Sequence, residues 1–160
     1  MTDNEQTWGD DPLSPLGQRR HRQLTEWATR VARGRELAND VRIASLDDNA
    51  RISATVDLIE ISLRPTMLDD ATFAPRYLRA IAAHELGHAK VSLDQSYQLS
   101  SHEREFAADA FAASVVGIPA MIRALRFAAR WGAARREVCS HTTATHPSID
   151  ERVACLRKLK

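Results

Sequence analysis

No stretch of this 160-residue chain approaches the roughly 18 to 20 consecutive apolar residues that a membrane-spanning helix needs. The longest candidate, Ala107 to Ile122, is broken by Asp109, Gly117 and Pro119, so no integral membrane segment is expected. Cysteine is scarce: Cys139 and Cys155 are the only two, which argues for free thiols over a disulfide framework. The amino-terminal Met1-Thr2-Asp3-Asn4-Glu5 has neither a positive n-region nor an apolar h-region, so a cytoplasmic location is expected. Charge of one sign is also lacking. With 22 basic and 21 acidic residues the net charge is +1, and the electrostatic footprint of a nucleic-acid-binding protein is missing. Only 6 glycines and 6 prolines stand against 44% hydrophobic residues, which excludes collagen-like and low-complexity architectures.

What remains is the composition of one ordinary globular domain. Residues 1–15 are polar, contain Gly9, Pro12 and Pro15 and show no hydrophobic period, so they read as a flexible amino-terminal arm. Residues 16–160 read as a single domain. Leu24, Trp27, Ala28, Val31 and Ala32 recur at helical spacing among arginines between about Leu16 and Ala38. Three runs rich in β-branched residues follow, Val41 to Leu46, Arg51 to Val56 and Leu58 to Leu63. Asp47-Asp48-Asn49 supplies turn chemistry between the first two, and a small antiparallel sheet is expected. Beyond Leu63 the pattern is helical. Pro75 suits the first turn of a helix running to about Val91. Ser100 with Glu103 and Ser148 with Glu151 make two capping boxes, and a further helix is expected over residues 120–131, after Gly117-Ile118-Pro119. The fold class expected is α+β, with the sheet followed by a mainly helical carboxy-terminal half.

The chemistry is carried by His84-Glu85-Leu86-Gly87-His88. Six histidines and nine glutamates in the chain predict only about 0.01 matches to this pattern by chance. On a helix, residues four apart share a face, so both imidazoles can reach one zinc ion while Glu85 points beside them at a metal-bound water. A catalytic zinc takes a third protein ligand. Glu105 is the strongest candidate, just inside the helix that starts at Ser100 or Ser101, and Asp109 shares its face and can accept the second ring N–H of a ligand histidine. Asp94 and His102 are rivals. Asp94 has the spacing of another class of zinc peptidases, but the glycine that class needs three residues after the second histidine is Val91 here. His102 lies at the helix entry, about a turn before Glu105.

Three blocks together resemble the zinc peptidases of the HtpX and CAAX-prenyl-protease family, members of the gluzincins. They are Ala82-Ala83-His84-Glu85-Leu86-Gly87-His88, Arg104-Glu105-Phe106-Ala107-Ala108-Asp109 and Thr145-His146-Pro147-Ser148-Ile149-Asp150-Glu151-Arg152-Val153. The resemblance covers the carboxy-terminal half; in the amino-terminal third only Asn49-Ala50 is similar. It implies a zincin-like fold, one Zn²⁺ held by His84, His88 and Glu105, Glu85 as general base and Asp109 as the acid that orients a ligand. It further implies that His146 stabilises the oxyanion and that Asn49 helps hold the substrate. Members of that family commonly carry transmembrane helices, so this chain resembles a minimal catalytic domain, and membrane attachment and prenylated substrates are not expected.

The function expected is therefore zinc-dependent hydrolysis of peptide bonds in a peptide or protein substrate, with Leu58 to Leu63 as the sheet edge that pairs with it. Two alternatives stand beside it. The same histidine motif with Phe106-Ala107-Ala108-Asp109-Ala110-Phe111-Ala112 is similar to ImmA/IrrE-type regulatory metallopeptidases, which would give one dedicated protein partner. A latent or non-catalytic zinc domain is the other. The oligomeric state is open.

Overall fold

A computed structural model of the chain describes residues 13–45, 52–55, 57–94, 98–134 and 146–159. Most of the arm expected at the amino terminus, Asn49 and Cys139 lie outside the described residues. The first helix, α1 (Pro15–Gly34), starts as its sequence dictates: Ser14 is the N-cap, accepting from the Gly17 amide at 3.2 Å, and Pro15 occupies the first turn. Its buried stripe, Leu24, Ala28 and Ala32, repeats every four residues. Arg20, also buried, donates to the carbonyl oxygens of Leu68 at 3.1 Å and Asp70 at 2.7 Å. Those carbonyls belong to the end of a short helix, α2 (Pro65–Asp69), that the sequence reading did not include. Its single turn is held by tertiary partners instead of by local periodicity.

The sheet corrects the expected pairing. Its three strands, β1 (Asp40–Ser45), β2 (Ile52–Ala54) and β3 (Leu58–Leu63), are ordered β1-β3-β2. β3 runs parallel to β1, with Val41 opposite Ile59 and Ile43 opposite Ile61, and antiparallel to β2, with Ala54 opposite Ile59. The sheet is thus mixed, and β1 and β2 are not neighbours. The tight connection is between β2 and β3, where the Thr55 amide donates to the Leu58 carbonyl at 2.9 Å and the Leu58 amide to Thr55 Oγ1 at 3.1 Å. β3 is also the central strand and not the edge. Ile59, Ile61 and Leu63 are its buried set, and a strand flanked on both sides removes the most apolar surface from water. The edge position next to α3 falls to β2.

The remaining helices are α3 (Pro75–Leu93), α4 (Ser101–Val116), α5 (Ile118–Ala134) and α6 (Ile149–Leu156). Both capping boxes form: Ser100 and Glu103 start α4, and Ser148 and Glu151 start α6. Gly117 ends α4 at φ 88°, a conformation that favours glycine. α3 is the central element, contacting α1, α4, α5, β2 and β3. Leu78, Ala82, Leu86 and Ala89 join the core cluster under the sheet. Ala80 and Ala83 join a second cluster with Ala112, Met121, Ala124, Val153 and Leu156. Phe73 seals the top of the first cluster, edge-on to Phe127 and Trp131 with ring centroids 5.0 and 5.4 Å away. Among the described residues no helix is long and apolar enough to cross a membrane.

α3 and α4 approach each other backbone to backbone at Gly87. A Cβ at Gly87 would stand 2.7 Å from both Cα and the carbonyl oxygen of Ala108. Those are backbone atoms and cannot swing away. Gly87→Ala gains up to about 1 kcal/mol of helix propensity, but forcing the helices apart costs about 1–3 kcal/mol and moves Glu105 relative to the histidines. We expect a lower melting temperature together with weaker metal binding, read by thermal melts and by metal titration. Unchanged values of both would refute the close approach.

Candidate metal centre

Three of the residues singled out in the sequence converge. His84 and His88 project from one face of α3, and Glu105 reaches them from the first turns of α4. The two Nε2 atoms are 3.0 Å apart, His88 Nε2 lies 3.2 Å from Glu105 Oε1, and His84 Nε2 lies 3.5 Å from Glu105 Oε2. Ligands at about 2.0–2.1 Å around a tetrahedral ion stand about 3.3–3.4 Å from one another, so these separations match the edges of such a site. The three residues form a cluster able to hold a metal ion.

The ligand atoms are oriented by a second set of contacts. His84 Nδ1 lies 2.9 Å from Asp109 Oδ1. Asp109, one turn along α4 from Glu105, is 1% exposed and accepts the Nδ1–H, so that the neutral form of the ring presents the lone pair of Nε2 to the cluster. Asp109 is held in turn by Arg152 of α6, whose Nε donates to Oδ2 at 2.8 Å and whose Nη2 donates to Oδ1 at 2.6 Å. This forked, charge-assisted pair is geometrically specific. Arg152 Nη1 also stands 3.3 Å from Glu105 Oε2, so one guanidinium braces both carboxylates. The Ser148 and Glu151 capping box fixes the start of α6 just ahead of Arg152.

Sequence reading did not assign Arg152 a place in the site. Its signal was the acid-arginine pair at Glu151-Arg152, but the role depends on α6 lying against α4, 43 residues away from Asp109 in sequence. Glu85 lines the same cavity of about 430 Å³ as His84, His88, Glu105 and Arg152. His146 lines it too, with Nε2 3.7 Å from Glu105 Oε1 and a side chain 63% exposed, a position on the rim. Asp94 is exposed at the end of α3 and accepts from Lys90 Nζ at 2.7 Å. It borders a different cleft and does not join the cluster. His102 does not join it either. Cys155 is a free, half-buried thiol.

The electrostatics follow from this packing. Burial and the Arg152 charge push the His84 imidazole down, but its hydrogen bonds to Asp109 and Glu105 win and raise its pKa to about 9. Burial pushes the Glu105 carboxyl up, yet contacts with His84, His88 and Arg152 hold it far below the usual range. Asp109 is lowered in the same way, against its burial, by Arg152 and His84. Asp109 and Arg152 neutralise each other, which leaves the Glu105 charge for a cation. A metal ion bound here would take the place of the His84 Nε2 proton, since a ligating imidazole is neutral.

Comparison of the chain with models of known families, with curated proteins and with solved structures finds no match.

The lowered carboxyls make the metal-free fold acid-sensitive. Their folded values lie below the unfolded ones of about 3.8 and 4.5. The unfolded chain therefore binds more protons as pH falls, and stability that is full above about pH 5 is lost progressively below it. In Asp109→Asn the Arg152 charge loses its forked partner, at a cost of about 3 kcal/mol, and the acid dependence becomes shallower. Melts of both proteins between pH 7 and pH 3 test this; parallel curves would contradict it.

Proposed function

We propose that this chain is a zinc-dependent endopeptidase of the zincin type, akin to the family its three motifs resemble. The observation that supports it best is that two imidazoles and one carboxylate converge in a cavity that also admits a further carboxylate, Glu85. A purely structural zinc site closes with four protein ligands, often cysteine. Among the described residues, three ligands and an adjacent acid leave room for a reacting molecule.

The donor set of two histidines and a glutamate suits zinc. Bound there, zinc supplies a Lewis acid that brings the pKa of water toward neutrality and polarises a carbonyl. The protein's own groups do the rest. Glu85 accepts the proton of the attacking water and passes it to the leaving amine. His146, on the rim, donates to the developing oxyanion. Asp109 keeps the His84 proton on Nδ1, and Arg152 keeps both Asp109 and Glu105 in register. An extended substrate pairs with β2, the edge strand beside α3, by main-chain hydrogen bonds. A peptide-directed enzyme without affinity for nucleic acid is consistent with the near-zero net charge.

The decisive comparison is Glu85→Gln against wild type. Glu85 is not among the ligands, so the variant is expected to bind one zinc per chain as wild type does. Its rate of peptide cleavage is expected to fall by about 10²–10⁴-fold. Zinc analysis and cleavage of a quenched fluorescent peptide library read the two properties separately. Equal activity in the two proteins would exclude Glu85 as the base; zinc-loaded wild type that cleaves no peptide would exclude the peptidase reading.

A further inference from the structure

A second cavity, of about 460 Å³, opens between α1, α3 and α4 and shares no residue with the one beside the triad. On α3 the metal cavity takes Ile81, His84, Glu85 and His88, whereas Gly87, Lys90, Val91 and Asp94 form a separate stripe that lines the second cavity. Its apolar part is Val91, Leu99, Ala107 and Phe111, and its charges are Arg35, Lys90 and Asp94. Asp94 accepts from Lys90 Nζ at 2.7 Å, so that pair is neutral. Arg35 is left as the uncompensated charge. It is also held in place: it caps α1, where its amide donates to the Val31 carbonyl at 3.0 Å. Its Nη2 donates to the Ser114 carbonyl of α4 at 3.1 Å, and its guanidinium carbon stands 5.9 Å from the centre of the Phe111 ring. Among the described residues no carboxylate pairs with it.

We propose that this second cavity binds a small monocarboxylate with an apolar body, of the medium-chain fatty acid or arylalkanoate class. The carboxylate meets the Arg35 guanidinium, whose fork of N–H donors matches two oxygens. Lys90, half exposed, adds donors beside it. The apolar body displaces water from Val91, Leu99, Ala107 and Phe111. Charge selects the head: one arginine with a neutral ion pair is balanced by one carboxylate and exceeded by a phosphate dianion. A neutral apolar molecule would cover the guanidinium without replacing its water. An extended peptide would find no strand edge here, because the walls are helices whose main-chain groups are already paired. The volume falls within the roughly 300–1,000 Å³ typical of ligand sites. Binding at this place needs neither a metal nor peptidase chemistry.

The test is calorimetric titration of the full chain with octanoate, with acetate and octylammonium as controls for the tail and the head, each run with and without one equivalent of zinc. One octanoate per chain is expected, bound at least about 100-fold more tightly than acetate, since several methylenes leave water. Octylammonium is expected to bind at least about tenfold more weakly, having the same tail and no partner for Arg35. Arg35→Gln weakens octanoate by about tenfold or more, and Ala107→Leu, which fills the apolar part, abolishes its binding. Thermal melts show that each variant is folded; Arg35 is exposed, so its replacement keeps the test open if Ala107→Leu does not fold. Octanoate binding that Arg35→Gln leaves unchanged lies elsewhere on the protein and overturns the proposal. Binding seen only with zinc present is metal ligation and overturns it too. Equal affinities for octanoate and octylammonium, or a leucine-ended peptide that binds where octanoate does not, likewise overturn it.

Discussion

Two helices of this protein touch backbone to backbone at one point, and the site depends on that contact. Gly87 sits between the two histidines of α3, on the side that meets Ala108 of α4. With no Cβ in the way, α4 comes close enough for the short side chains of Glu105 and Asp109 to reach the imidazoles from one turn apart. Any larger residue at position 87 must push against the Ala108 main chain. The glycine inside the histidine motif is thus a geometric requirement of the neighbouring helix and not of the ligands themselves.

Charge explains how such a cluster can be buried at all. Glu105 is 6% and Asp109 1% exposed, and two isolated carboxylates at that depth would be prohibitively costly. Arg152 removes most of that cost by bracing both, and its forked geometry with Asp109 brings orientation as well as charge. α6 is short, at eight residues, yet it carries this arginine and two members of the second core cluster, Val153 and Leu156. Its capping box therefore matters to the site, because it sets where the helix begins and hence which residue faces α4.

How much of this was legible in the sequence varies with the range of the interactions. The helices with strong local signals were readable: Pro75 starts α3, Ser100 caps α4, Ser148 caps α6, and all three behave as their spacing dictates. The candidate ligands were readable because helical periodicity alone places His84 with His88 and Glu105 with Asp109. The order of the sheet was not. Alternation within Asp40–Ser45 or Leu58–Leu63 says that a strand has a buried face, but not which strand lies beside it. The turn-like Asp47-Asp48-Asn49 suggested a β1–β2 hairpin, whereas the tight connection forms at Thr55 and Leu58. Arg152 was visible only as part of a motif, because its partners lie on other helices. Asn49, given a substrate role by resemblance alone, lies outside the described residues.

The central claim is that His84, His88 and Glu105 together hold a single zinc ion. X-ray absorption spectroscopy on the protein titrated with one equivalent of zinc tests it most directly. The account predicts tight uptake of one ion, with two imidazole nitrogens and light oxygen ligands at about 2.0–2.2 Å and no sulfur, and loss of one imidazole from the spectrum in His88→Ala. A sulfur ligand from either cysteine, or a spectrum unaltered in His88→Ala, would contradict it.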